Sequence, residues 1–160
     1  MNVCFRCEVI IRVSEEEMKR FEDNFLLIRK AVGWSAEEFG DRIGVTRQAI
    51  NNLENKKNKL TKMMYSAMRY ALDAEIQSHP DETEMLKVVL DAFVDHPEKY
   101  SDEQKSEIKN ETKMFSSAMK DKDTSRKEVS KQWKKVLVSL GVISATAISA
   151  ILIGTWRHKR

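Results

Sequence analysis

Apolar residues along most of this chain recur at intervals of three and four, the spacing of one face of a helix. With five glycines and two prolines in 160 residues, little interrupts that pattern, and the chain reads as nearly all α. The exception is residues 3–13, rich in β-branched side chains, which reads as a short strand or a disordered arm. A first helix is expected from about Glu22 to Val32, with Phe25, Ile28 and Val32 inward, Phe21 just ahead of them and Gly33 as the stop. Ser35 with Glu38 three residues later predicts a capping box opening a second helix, which carries Phe39 and Ile43 inward and stops at Gly44. Thr46 caps a third helix reaching about Asn55. A fourth covers Met63 to Ile76, with Met64, Ala67, Met68, Ala71 and Leu72 at helical spacing. After the break at His79–Pro80, Leu86, Val89, Leu90, Phe93 and Val94 form the stripe of a fifth, which His96–Pro97 ends. Ile108, Phe115 and Met119 are sparse apolar anchors in the charge-rich residues 101–120.

The third of these helices has an outer face suited to one kind of partner. With Phe39 and Ile43 from the second helix and Ile50 and Leu53 from the third turned inward, Arg47, Gln48, Asn51 and Asn52 are left exposed. Gly40 supplies the small residue where two helices cross, and Gly44 tolerates the positive φ of a tight turn. Arginine forks onto guanine, and Gln or Asn can pair bidentately with adenine. The helix N-terminus at Thr46 favours phosphate. Lys56, Lys57, Lys59 and Lys62 follow directly, as point charges for a nucleic-acid backbone. The candidate DNA-binding residues are therefore Thr46, Arg47, Gln48, Asn51, Asn52, Lys56, Lys57 and Lys59.

The run from Trp34 to Asn55, WSAEEFGDRIGVTRQAINNLEN, resembles the Cro/lambda-repressor (XRE) helix-turn-helix family, most specifically over Gly44 to Asn55. The resemblance covers about residues 21–76. It implies a recognition helix in the major groove, two-fold dimers on paired half-sites, and a pairing of Arg29 with Glu54. Two positions depart from the family pattern. Ala36 stands where a phosphate-bracing glutamine is common, and Lys56 where a glycine often follows the closing asparagine.

Charge divides the chain. Residues 1–17 carry net −2, residues 18–79 net +3, residues 80–125 net −5 and residues 126–160 net +7. The last segment holds twenty uncharged residues, Val136 to Thr155, bracketed by Trp133 and Trp156 and by lysines and arginines on both sides. At about 1.5 Å per residue such a helix spans roughly 30 Å, the hydrocarbon thickness of a bilayer. The reading is a transmembrane tail anchor with membrane lipid as a partner. Five basic residues precede the span and three follow it, which favours a cytoplasmic head. Gly141, Ala145 and Ser149, and likewise Thr146, Ala150 and Gly154, repeat every four residues and would permit close helix pairing in lipid.

The expected class is thus all-α: a five-helix lambda-repressor-like head, a helical spacer and a single C-terminal transmembrane helix. The expected divisions are an N-terminal extension (1–17, with Met18 opening the head), the DNA-binding head (18–79), a spacer or oligomerisation region (80–120), a basic linker (121–135), the span (136–155) and a basic tail (156–160). No catalytic constellation, cofactor motif or metal site is expected. The three histidines are scattered, and Cys4 and Cys7 read as free thiols in a reducing compartment. The function expected is a prokaryotic or phage regulator of transcription, a probable repressor, that binds double-stranded DNA as a homodimer at the cytoplasmic membrane. The competing class is a membrane-tethered scaffold whose helix-turn-helix binds protein.

Overall fold

The computed structural model describes residues 13–119, 125–139 and 141–142, and among these it is entirely helical. There are eight α-helices: α1 Glu15–Asp23, α2 Phe25–Val32, α3 Ala36–Ile43, α4 Arg47–Glu54, α5 Lys62–Ser78, α6 Glu84–Leu90, α7 Asp102–Ala118 and α8 Arg126–Ser139. Cys4, Cys7 and the β-branched stretch up to residue 12 lie outside the described residues.

Where one helix was expected from Glu22 there are two. The Ser14 hydroxyl accepts from the Glu17 N–H at 3.0 Å, and three glutamates fill the first turn of α1, where the helix dipole favours them. Asn24 then leaves the helical region (φ −109°, ψ 11°), and its side chain donates to the Arg20 carbonyl at 2.8 Å, in competition with the helix's own backbone bonds. Phe21 and Phe25 are buried on either side of this break. Downstream the caps stand as the sequence implies. Ser35 and Glu38 form the capping box, Gly33 and Gly44 take positive φ, and the Thr46 hydroxyl caps α4; α5 is capped by Thr61, which the sequence had not singled out.

An aromatic cluster centres the head. Phe21 meets Tyr65 edge-on at 5.1 Å, Phe25 meets Phe39 at 5.1 Å, and Trp34 meets Phe39 at 5.4 Å. Ile28, Ile50, Leu53, Met68 and Leu72 complete this part of the core.

Every residue of helix α6 is buried, its five apolar residues together with Glu84 and Lys87. It packs against α2, α7 and α8. Its two charged residues satisfy each other: Lys87 Nζ lies 3.1 Å from Glu84 Oε1 and 2.8 Å from the Pro80 carbonyl. The helix widens into a π turn over Asp91–Asp95, closed by a 2.8 Å bond from the His96 N–H to the Asp91 carbonyl. Helix α7 lays Ile108, Thr112 and Phe115 against α2 and α6. The residues after Ser78 therefore share one core with those before it.

The C-terminal expectation needs correction. Residues 120–124 lie outside the described residues, and from Arg126 the segment expected as a basic linker is helix α8. The continuous span expected from Val136 is not formed, because α8 stops at Ser139. Gly141 adopts φ 69°, its N–H bonds the Val138 carbonyl, and the Val142 N–H bonds the Leu137 carbonyl, both at 3.1 Å. That pair of bonds is a Schellman stop. Leu137 and Val142 are buried in the protein core instead of facing lipid. Among the described residues no helix is long and apolar enough to cross a membrane. The expected single-pass anchor and the membrane placement drawn from it are therefore not supported. The rest of the expected span, its small-residue repeats beyond Gly141, Trp156 and the basic tail lie outside the described residues.

Candidate nucleic-acid interface

The site begins with the crossing of α3 and α4. The Val45 N–H bonds the Gly40 carbonyl at 2.9 Å, so the chain folds straight back over Gly40. Gly44 makes that reversal in the left-handed region, φ 75°. Phe39 and Gly40 from α3 and Ile50 and Leu53 from α4 are buried at the contact. The far end of α4 is pinned separately. Glu54 accepts from Nε of Arg29 on α2, and a second bond runs from Arg29 Nη2 to Glu54 Oε2 at 3.2 Å. The remaining guanidinium nitrogen, Nη1, donates to the Trp34 carbonyl at 2.9 Å. This is the pairing that the resemblance implied, and it fixes the helix's attitude as well as its position.

On the outer face, Thr46, Arg47 and Gln48 are exposed and Asn51 and Asn52 half-buried. The Thr46 hydroxyl is committed to its cap, accepting from the Ala49 N–H at 3.2 Å. Gln48 Nε2 donates to Asn52 Oδ1 at 2.9 Å, one turn on. That bond stiffens two amides side by side and leaves the Gln48 carbonyl and the Asn52 amino group facing outward. Arg47 and Asn51 line a shallow groove with Lys30, Ser35, Ser116 and Met119. Lys30 of α2 and Ser35 at the start of α3, which line the same groove, were not among the sequence candidates; Ser35 entered there only as a cap.

The lysines are not equivalent. Lys56 adopts φ 54°, the one non-glycine residue with positive φ among those described. The Lys56 N–H bonds the Leu53 carbonyl at 3.0 Å and the Lys57 N–H bonds that of Asn52 at 2.8 Å, a Schellman stop with lysine in the glycine position. Lys56 Nζ is paired with Asp23 of α1. Lys57 and Lys59 are exposed. Glu38, at the start of α3, is held below the usual carboxylate range first by the bond from the Ser35 backbone N–H and then by the neighbouring Ser35 hydroxyl, so it stays ionised within its capping box. The structure thus groups Arg47 with Asn51 in one groove, Gln48 with Asn52 through their bond, and Lys57 with Lys59 in a second groove, with Thr46 occupied by its cap and Lys56 by an ion pair.

No curated protein and no solved structure matches the chain. A family model for helix-turn-helix domains matches residues 27–68, from within α2 into α5. The segment so matched contains the crossing at Gly40, the turn at Gly44 and the whole of α4. The match supports a Cro/CI-type helix-turn-helix domain over residues 27–68, the kind found in DNA-binding regulatory proteins.

Proposed function

We propose that this protein is a sequence-specific regulator of transcription that reads duplex DNA with Arg47, Gln48, Asn51 and Asn52 in the major groove and steadies itself on phosphates with Lys57 and Lys59. The carrying observation is that α4 is clamped at both ends, by Gly40 under its start and by Arg29 on Glu54, while Arg47 and Gln48 remain exposed. Side chains held on a rigid helix reach base edges with little ordering cost. Arg47 suits guanine, and the paired amides of Gln48 and Asn52 suit adenine. Thr46 and Lys56 lend their backbone and their charge to the phosphates beside this face, Lys56 by exchanging its Asp23 partner. Repression is the simplest sign of regulation, since a head seated over a promoter excludes polymerase with no further contact. The chain acts as a homodimer on two half-sites, because one recognition helix alone reads few base pairs.

DNA selection with the full chain, followed by gel shifts across a salt series, tests the proposal. A defined site bound with steep salt dependence is the expected result. Arg47→Ala should cost about 1–3 kcal/mol at one base position, while Lys57→Ala should weaken all sequences alike and reduce the salt slope by about 0.9. A chain that binds no duplex at low salt would return the face to a protein partner and end this reading.

A further inference from the structure

Helix α8 carries a basic face outside the helix-turn-helix. Val129, Ser130 and Leu137 are buried, so the inner side of the helix is the one turned to α6 and α7. The outer side carries Lys127, Glu128, Lys131, Gln132 and Lys135, all exposed. The three lysines recur at every fourth residue, about 6 Å apart along the axis and about 12 Å from first to last. Among the described residues none of the three takes an ion pair, although the neighbouring Lys134 comes within 3.9 Å of Glu84 on α6. Glu128 is the one acid on this side, in the first turn, where the helix dipole favours it.

Like charges at i and i+4 repel and destabilise a helix. The fold bears two such pairs here, Lys127 with Lys131 and Lys131 with Lys135, and neutralises neither. A linear polyanion relieves that repulsion. Duplex DNA offers phosphates at a fitting pitch, since one strand carries a charge every ~3.4 Å of axis and 6 Å is close to the rise of two base pairs. The stripe also begins beside the reading head. Arg126, directly before Lys127, donates to Glu75 Oε1 of α5 at 2.7 Å, and Arg42 of α3 donates to the other oxygen at 3.2 Å. Glu75 is 4% exposed, so this joint is buried and holds α8 at the flank of α3.

We infer that Lys127, Lys131 and Lys135 form a second, sequence-independent contact with duplex DNA, on backbone phosphates that flank the site read by α4. The inference rests on the proposed DNA reader and lengthens its footprint by about 3–4 base pairs. Gel shifts with the full chain over a salt series, on duplexes of increasing length around the selected site, test it. Replacing all three exposed lysines by glutamine should lower the salt slope by about 2.7 and weaken every sequence alike, with the base preference unchanged. The parent should gain affinity as the duplex extends past the site, and the triple variant should not. A triple variant with the parent's slope and length dependence would overturn the inference. So would binding of the parent to phosphatidylserine-rich vesicles that the triple variant loses while its DNA slope stays the same, because the stripe then faces lipid. Duplex binding without sequence preference, lost in the triple variant, would sustain the stripe and sink the sequence-specific reader instead. No duplex bound by the parent at low salt would overturn both.

Discussion

A Cβ placed on Gly40 would stand 2.5 Å from the carbonyl oxygen of Val45, a backbone atom that cannot step aside. The two helices of the reading head touch there with no room for a methyl group. Gly44, four residues on, presents the opposite case: nothing lies within 4 Å of its missing Cβ, but its φ is 75°. The two glycines should therefore fail differently. Gly40→Ala must push α4 away from α3 and is expected to cost about 3 kcal/mol, as overpacking does. Gly44→Ala pays only the left-handed backbone, about 1–2 kcal/mol. Urea denaturation of both variants checks the order, and a Gly40→Ala protein as stable as Gly44→Ala would contradict the crossing described.

Lys56 sets two small effects against each other. Its φ of 54° disfavours any side chain, while its ammonium pairs with Asp23 at the surface. Exposed pairs are worth about 0–1 kcal/mol, and left-handed strain about 1–2. Lys56→Gly is thus expected to stabilise slightly, by up to about 1 kcal/mol, as glycine's greater unfolded-state freedom removes part of the gain. Lys56→Ala keeps the strain and loses the pair, and should be destabilising. Thermal melts at low salt distinguish the two substitutions.

Alkaline pH should loosen the fold through Tyr65 and Tyr100. Burial, then the bond to Glu17, pushes the Tyr65 phenol well above its ordinary range, and burial with the bond to Asp91 does the same for Tyr100. Each phenol keeps its proton in the folded chain at a pH where the unfolded chain has lost it. The unfolded state then binds fewer protons, so stability falls as pH rises above about 10, the free tyrosine value. Below that pH the contribution is fully present. Denaturation midpoints measured from neutral to alkaline pH should show this decline, and Tyr65→Phe with Tyr100→Phe should flatten it.

Leu137 offers a test of where the C-terminal helix lies. It is fully buried on α8, with Phe115 of α7 and Trp133 of α8 at a ring separation of 6.5 Å closing the same layer. Leu137→Ala should cost about 2–5 kcal/mol, the range for a leucine removed from a packed core. Unchanged stability in urea would place this helix away from the body of the protein.

Much of the head is readable along the chain because its signals are local. A capping box needs only Ser35 and Glu38, a helix stop only Gly33 or Gly44, and an amphipathic face only the spacing of Phe39, Ile43, Ile50 and Leu53. The outward set of Arg47, Gln48, Asn51 and Asn52 follows from the same periodicity. Even Arg29 with Glu54, twenty-five residues apart, was implied by resemblance to a family whose helices meet in that order.

What lay beyond reach was decided by partners distant in sequence. The uncharged run after Lys135 has the composition of a membrane span, and composition cannot say whether lipid or protein will cover it. The fold chose protein for its first part: Gly141 stops the helix, and Leu137 and Val142 go into the core. The charges of the supposed linker were likewise ambiguous. Arg126 reaches back 51 residues to the buried carboxylate of Glu75 at 2.7 Å, and Arg42 of α3 holds the other oxygen at 3.2 Å. A local pattern therefore fixed α3, α4 and α5 and the chemistry of the outer face of α4. The packing of α6, α7 and α8 onto the head required the three-dimensional arrangement, because burial of an apolar or charged group depends on what covers it.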